Sequence, residues 1–442
     1  MKKLQVFYNG WGERWPLCTL ADTGSGIVLE YAPQAAEHGL QLSPLHYPLP
    51  LAGASAKTFK GEPAFYGLPG FVADALPDGW GMLLMDRALR KAGRDPRSVS
   101  VLERLAIIGD TAIGALSFEP SQADLLAAEV LSINNLVGEV RQLQSSFQTE
   151  SASTSMKANI KVDMALQHLM RLGGSPQGAR PKVLVDFNAR TGAITSGMPL
   201  TGSTRPWLIK FPAEAEHREV CAIEELYAKL ARKGGMDMPC SKYFDVGAKH
   251  SAFGVERFDR HIHRSMDGKV PNANIKRIPV LSLSGALHAD HRLPSLDYES
   301  LLLATLRITG DQREVLKAFE RCVFNVLMHN RDDHARNFAY CLNEKGFWTL
   351  SPAFDLTYSQ GPGGEHSTSV AGHGKNITRV HLLQVAKTGG VKPKDATQAI
   401  DHWIAVTSKL TTVAKDLPIR RVTIALLTKH VSEQRNLLRG GM

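Results

Sequence analysis

The sequence predicts an α+β protein: a small N-terminal α+β unit, then a sheet-rich lobe, then a helical lobe. Three observations carry this expectation. The 442 residues amount to about three ordinary domains. Short strand-like runs mark the first 260 or so residues, and the chain turns mostly helical after residue 299. The chain is 43% hydrophobic and 21% charged, the balance of a globular protein with a sizeable core rather than a disordered or fibrous one.

The elements follow in order. Leu4–Tyr8 alternates like a strand, Asn9-Gly10 is a hairpin turn signal, and Ile27–Tyr31 is a second strand stopped by Pro33. Between Gly67 and Lys91 the residues Leu83, Leu84, Ala88 and Leu89 mark a helix, and Ala112–Phe118 is a further strand closed by Pro120. Residues 145–161 are rich in Ser and Thr and read as a linker or mobile surface segment. Lys182–Phe187, Trp207–Phe211, Tyr243–Val246 and Ala252–Phe258 are strands. Glu219–Arg232 is a helix with Val220, Ile223, Leu226, Tyr227 and Leu230 on one face. An amphipathic helix runs over Glu314–His329, followed by strand-like Phe338–Leu342 and Phe347–Leu350. The expected domains are an N-terminal unit over 1–120, a connecting segment over 121–161, a sheet-rich nucleotide-binding lobe over 162–298 and a helical catalytic lobe over 299–442.

Charge and cysteines narrow the class. Fifty-two Lys and Arg against forty-three Asp and Glu give +9, which permits an anionic partner without requiring one. The five cysteines are widely spaced with no C-x-x-C, so neither a disulfide framework nor a zinc knuckle is expected, and the expected compartment is reducing. The first residues lack a signal-peptide apolar stretch, and no run of roughly eighteen apolar residues occurs. A cytoplasmic protein without a membrane span is therefore expected.

The chemistry concentrates in Asn330-Arg331-Asp332-Asp333-His334-Ala335-Arg336-Asn337. Asp332 and Asn337 have the D-x-x-x-x-N spacing of a protein-kinase catalytic loop. A short loop lets one carboxylate meet an acceptor hydroxyl while an amide oxygen reaches a magnesium ion. Asp355, in Ser351-Pro352-Ala353-Phe354-Asp355, is the second expected metal ligand, although Thr357 stands where D-F-G has its glycine. Upstream, Lys210 closes Trp207-Leu208-Ile209-Lys210, a strand like V-A-I-K. Glu224, on the following helix, is expected to hold it in an ion pair. The glycine-containing loop Gly173–Lys182 would cradle phosphates with backbone N–H groups, though it is neither G-x-G-x-x-G nor a Walker loop. His334 is expected to be a structural residue hydrogen-bonding the polar loop.

These segments resemble the HipA-type serine/threonine kinases, the toxin halves of bacterial HipBA toxin–antitoxin systems. Val255-Glu256-Arg257-Phe258-Asp259-Arg260 is similar to the family's V-E-R-F-D-R segment. Asp332–Phe338 resembles its D-x-H-x-[KR]-N-[FH] loop, Ser351–Asp355 its T-P-x-Y-D segment, and Ser175–Lys182 its S-x-x-G-A-x-x-K loop. Leu42–Leu45, Asp74–Asp78 and Ile108–Leu116 also have family counterparts, so the resemblance spans nearly the whole chain. Asp333 departs from the glycine of the best-known members.

The resemblance implies a two-lobed, protein-kinase-like (HipA-like) fold. It implies ATP and Mg²⁺, with Asp332 as catalytic base, Asn337 and Asp355 on the metal, and Lys210 on the phosphates. Ser175, Gln177, Gly178, Ala179 and Glu224 are further expected nucleotide-site residues, and adenine is expected against Glu256, Arg257 and Phe258. Ser175 matches the serine such kinases phosphorylate on themselves, where a phosphate would repel ATP. The implied targets are aminoacyl-tRNA synthetases, and the implied partner is a HipB-type antitoxin bound to operator DNA. Two other classes remain open on the residues. One is a Mg²⁺-dependent nuclease using His329, Asp332, Asp333, His334 and Asp355. The other is a DNA-bound regulator on an inactive kinase scaffold. The stretch Lys409–Arg439, with seven Lys and Arg against Asp416 and Glu433, is either a nucleic-acid contact or a solvated helix face.

Overall fold

The computed structural model describes all residues except 50–56, 59–62, 123–128, 149–155, 174–177, 199, 201–202, 264–273, 294–295 and 441–442. Its backbone contacts divide the chain into two units. One comprises Met1–Leu40, Leu49–Cys221 and Cys240–Pro279; the other comprises Gln41–Pro48, Ala222–Pro239 and Val280–Met442.

Among its described residues, the first unit begins with a five-stranded sheet in the order Lys57–Thr58, Ile27–Tyr31, Trp15–Asp22, Lys3–Tyr8, Leu116–Glu119. Every pairing is antiparallel. The turn expected at Asn9-Gly10 is the start of a hairpin loop, with Tyr8 paired to Trp15. The strand Trp15–Asp22 escaped the sequence reading because Trp15-Pro16 obscures its alternation. The strand expected over Ala112–Phe118 starts only at Leu116. Gly114 adopts φ 80, and the carbonyls before the strand are taken by arginine side chains instead of a neighbouring strand.

A six-stranded sheet follows, in the order Ser241–Asp245, Ser251–Glu256, Thr204–Lys210, Lys182–Asn188, Ile194–Ser196, Glu129–Leu131. Helices Ile133–Gln148 and Met156–Gly173 pack on it. Leu136, Val140, Leu143, Leu166, Leu169 and Leu172 share one core with Val183, Val185, Phe187, Trp207 and Ile209. The stretch 145–161, expected as a linker, thus contains the end of one helix and the start of the next. Its serines do not break the first helix, because Ser145 and Ser146 turn their hydroxyls back onto the carbonyls of Gln142 and Leu143. Across the two helices, His168 Nδ1 lies 2.6 Å from Glu139 Oε2.

The second unit is the helical one. Gln312–Met328 runs through its middle, buried at Val315, Ala318, Phe319, Cys322, Val323 and Phe324, and packs against Tyr298–Thr309 and Pro393–Thr407. Its ends are capped as the sequence dictates: Asp311 accepts from the Arg313 N–H, and His329 closes the helix in the left-handed region at φ 52. A small antiparallel sheet joins Val280–Ser282, Ala339–Leu342 and Trp348–Leu350. Helix Glu219–Lys233 is buried on more than the one expected face: Cys221 through Ala228 are all enclosed, including Glu224 and Glu225.

Candidate functional site

The polar loop of the second unit is built from the end of its central helix. The left-handed turn at His329 reverses the chain, and the Asn330 N–H returns to the Asn325 carbonyl at 3.0 Å. Asn330 then forms a β-bridge with Ser359. From there the two adjacent aspartates part. The Asp332 side chain is 61% exposed. Asp333 is fully buried. The Asn337 amide donates to the Asp332 carbonyl at 2.6 Å, which fixes the loop and leaves the amide oxygen as that side chain's acceptor.

Asp333 is the hub that holds this loop. Its Oδ2 accepts from the Tyr298 hydroxyl at 2.7 Å and faces His366 Nδ1 at 2.7 Å. Its Oδ1 accepts from the backbone N–H groups of Ser367 and Thr368 at 2.8 and 3.2 Å, and its carbonyl accepts from the Thr368 hydroxyl. The shell continues outward, since Asn325 donates to the Tyr298 oxygen and Asn330 to Asn325 Oδ1. The sequence reading gave the structural role to His334. The His334 carbonyl accepts from the Asn337 N–H at 2.9 Å, and its Nε2 stands 3.9 Å from Asp332 Oδ1, while among the described residues its Nδ1 has no hydrogen-bond partner. Asp333 carries the larger set of contacts, and no signal short of packing could have separated it from Asp332.

Asp355 follows the strand Trp348–Leu350 and is half-buried in the left-handed region at φ 55. An Asp there is tolerated at a modest cost, of the kind that clusters at functional sites. The register pairs Tyr340 with Leu350, and the Ser351 N–H meets the Ala339 carbonyl. Asn337 and Asp355 therefore flank the same end of one hairpin. An amide oxygen and a carboxylate there suit a hard cation such as Mg²⁺. Among the described residues, no group of three His, Cys, Asp or Glu side chains suits a metal.

One expected nuclease ligand is committed elsewhere. Asp333 has both carboxylate oxygens filled. His329 places Nε2 3.1 Å from the His430 carbonyl, and burial pushes its pKa down to about 3. Glu224 is 2% exposed on its helix. Its neighbour Glu225 faces Arg232 at 3.5 Å and Lys229 at 4.0 Å.

In the first unit, Lys210 ends the strand Thr204–Lys210 and is 5% exposed. Its register partners are Phe253 on one side and Lys182 on the other, and Lys182 is 4% exposed. Two enclosed lysines thus stand directly opposite each other across the strand pair. Lys182 ends the S-x-x-G-A-x-x-K match. Gly178, at φ 105, lies against it: a Cβ there would strike Lys182 Nζ. Ala179 beside it is exposed. Ser175 and Gln177 lie outside the described residues.

In the Glu256–Phe258 segment, the Arg257 guanidinium is held by Asp259 at 2.9 and 2.8 Å. The N–H groups of Glu256 and Arg257 go to the carbonyls of Cys240 and Pro206. Burial raises the Glu256 pKa against the pull of Arg205. Burial also works to raise that of Asp259, but the guanidiniums of Arg257 and Arg260 outweigh it and hold the carboxyl well below the usual range. Asp259 further accepts from the Gly114 N–H, while Arg277 donates to the carbonyls of Asp110, Ala112, Gly114 and Leu116.

Residues 4–119 match the HipA N-terminal domain, and residues 174–410 match the HipA-like C-terminal domain. The chain is similar to the Putative kinase Y4dM of Sinorhizobium fredii, 26% identical over 176 residues. That match covers 37% of this chain and 40% of the relative, well under two thirds of either. It is also similar to the solved HipA of the Shewanella oneidensis MR-1 toxin–antitoxin system, in a complex with HipB and operator DNA. There the TM-score is 0.70 at 16% identity, covering 99% of this chain and 97% of that one. The likeness shows the fold: a two-lobed, kinase-like α+β architecture. Among the described residues, no helix is long and apolar enough to cross a membrane.

Proposed function

We propose that this chain, which belongs to the HipA family, is an ATP- and Mg²⁺-dependent protein kinase that phosphorylates serine or threonine. The observation that carries this reading is the Asp332–Asn337 loop, which presents one exposed carboxylate and turns an amide next to a hairpin end that also bears Asp355. In this reading, Asp332 orients the acceptor hydroxyl and takes its proton as the oxygen attacks the γ-phosphate. Asn337 and Asp355 would hold Mg²⁺, which supplies charge neutralisation on the transferring phosphoryl group. Lys210 and Lys182 supply cations for the phosphates, and Glu224 orients Lys210.

The kinase reading is favoured over a nuclease because Asp333 has both carboxylate oxygens filled by protein donors. Within the family resemblance, the reading extends to a growth-arresting toxin whose target is a translation protein such as an aminoacyl-tRNA synthetase. It extends to control by a HipB-type antitoxin on operator DNA and by autophosphorylation at Ser175.

The test incubates the full chain with γ-labelled ATP and Mg²⁺, with plasmid DNA in parallel. Transfer of label to protein is expected. Asp332→Asn should reduce transfer by about 10²–10⁴-fold while nucleotide affinity stays near that of wild type. Full transfer by that variant, or nicked DNA without transfer, would overturn the reading.

A further inference from the structure

The segment leading to Asp355 is tied down residue by residue. The Leu350 N–H donates to Glu314 Oε2 at 2.9 Å, and the Ser351 carbonyl accepts from Arg321 Nη2. The Ser351 N–H goes to the Ala339 carbonyl at 2.9 Å, and the Ala353 N–H to the Asp237 carbonyl at 2.6 Å. Pro352, between them, has a fixed φ and holds Ser351 in extended backbone. Two residues beyond Ala353 stands Asp355, at φ 55. Glu314 and Arg321 lie two turns apart on the central helix Gln312–Met328 and so share one face. Both are enclosed, at 5% and 4% exposure. A carboxylate and a guanidinium are costly in a core, where apolar residues of similar volume often serve stability as well or better. Burial pulls the Arg321 pKa down to about 10 against the opposing pull of Asp237, and among the described residues its Nη1 has no hydrogen-bond partner. What the two buried charges hold is one place, the backbone of two adjacent residues ahead of Asp355.

We infer that Glu314 and Arg321 are positioning residues for the metal, setting where Asp355 stands relative to Asn337. The inference rests on the Mg²⁺ reading above. Asn337 reaches the same end of the hairpin by a separate route, with its N–H on the His334 carbonyl at 2.9 Å and its amide on the Asp332 carbonyl at 2.6 Å. The two candidate ligands are therefore placed independently, and their spacing is only as fixed as each anchor. Mg²⁺ demands near-ideal geometry at about 2.0–2.1 Å, so a small drift of one ligand weakens its hold. Groups that orient a ligand without touching the metal commonly govern affinity for it. Glu314 and Arg321 act through the Leu350–Ser351 backbone and touch neither substrate nor metal. Lys317 Nζ, 2.7 Å from Glu314 Oε1, steadies the carboxylate from the helix surface.

The test measures affinity of the full chain for a fluorescent ATP analogue, once with saturating Mg²⁺ and once with a chelator, together with thermal unfolding of the free protein. The quantity read is the gain in affinity that Mg²⁺ brings. The variants are Glu314→Ala, Glu314→Gln, Arg321→Met, Asp355→Ala and, as a control on the same helix, Asp311→Ala, which removes the N-cap. Glu314→Ala and Arg321→Met should shrink the gain about tenfold while metal-free affinity stays within about twofold of wild type. Glu314→Gln keeps an oxygen for the Leu350 N–H and should hold the gain within about twofold. Asp311→Ala should lower the unfolding temperature and leave the gain intact. A wild-type gain in both Glu314→Ala and Arg321→Met overturns the inference, and so does a Glu314→Gln variant as weak as Glu314→Ala. Affinity lost equally with and without Mg²⁺, or a gain lost in Asp311→Ala in step with its stability, also overturns it, because the effect would then be structural. A wild-type chain that gains nothing from Mg²⁺, or an Asp355→Ala variant that keeps the full gain, overturns the metal reading itself, and this role with it.

Discussion

Replacing Asp333 by alanine should be among the most damaging single changes in the helical unit, and the structure gives the size. The carboxylate meets Tyr298, His366 and the N–H groups of Ser367 and Thr368 at 2.7–3.2 Å, with no exposed surface of its own. Alanine removes every acceptor and leaves these groups facing a small buried void. An orphaned buried donor costs about 1–3 kcal/mol, and breaking a buried charged pair about 3–5 kcal/mol. Water entering the void and a change of His366 tautomer relieve part of this, so about 3–5 kcal/mol is the expected loss. Domains typically have only about 5–15 kcal/mol in total. Asp333→Asn keeps one oxygen for the two backbone N–H groups. It turns its NH₂ toward His366 and Tyr298, where the imidazole can re-tautomerise, so about 1–2 kcal/mol is expected. Equilibrium urea unfolding of the full chain, with label transfer measured well below each midpoint, reads both effects. The midpoint should fall in the order wild type, Asn, Ala, and transfer should fall with it because the Asp332 loop loses its anchor. An alanine variant within about 0.5 kcal/mol of wild type, with full transfer, would refute the reasoning.

Lys182→Ala and Lys210→Ala should each weaken ATP binding, measured by titration in the presence of Mg²⁺, and should do so more steeply at low salt; equal affinity in wild type and both variants would remove the phosphate role of this strand pair. Arg277→Lys should destabilise the first unit by about 2–3 kcal/mol in a thermal scan, since an ammonium cannot reproduce a planar fork reaching four carbonyls. His329 is held at about 3 in the folded chain against 6.5 for an unburied histidine. Its contribution is therefore complete above pH 6.5 and is lost as pH falls toward 3, at about 1.4 kcal/mol per pH unit between these limits. His329→Asn retains a residue suited to φ 52 and should flatten that slope by about one proton between pH 6 and 4, whereas an unchanged slope would show that another group titrates.

Much of this was legible in the sequence, for a physical reason. Strands such as Lys182–Asn188 and Ile27–Tyr31, and the helix Gln312–Met328, carry periodic apolar patterns that local sequence reports directly. The D-x-x-x-x-N spacing is likewise local, so the loop bearing Asp332 and Asn337 was visible. What was not legible depends on distant packing. The Ala112–Phe118 stretch has good strand composition, yet its first half gives its carbonyls to Arg260 and Arg277, more than 140 residues away. The pairing of the Arg257 guanidinium with Asp259, and of Asp259 with the distant Gly114 N–H, is likewise a matter of packing that the local segment does not report. The Ser-rich stretch around residue 145 read as a linker because hydroxyls usually compete with helix formation. Here they bond within the helix while its apolar face meets the sheet.

The adjacent aspartates of the loop show why burial and exposure there are one decision. Asp332 and Asp333 are chemically identical, and neither helix nor strand geometry fixes the chain between Arg331 and His334. A carboxylate enters the interior only where donors fill both its oxygens, because an uncompensated buried charge is prohibitively costly. The segment Glu365–Thr368 and the Tyr298 hydroxyl provide such a set of donors, and it accommodates one carboxylate. Once Asp333 occupies it, the preceding residue stays largely exposed. A one-residue slip would exchange the two, burying the carboxylate that the proposed mechanism gives to the substrate hydroxyl and shifting Asn337 from the carbonyl it now holds. The buried aspartate thus sets the register of the exposed one. Asn330, pinned to Asn325 and bridged to Ser359, prevents the slip from the other end.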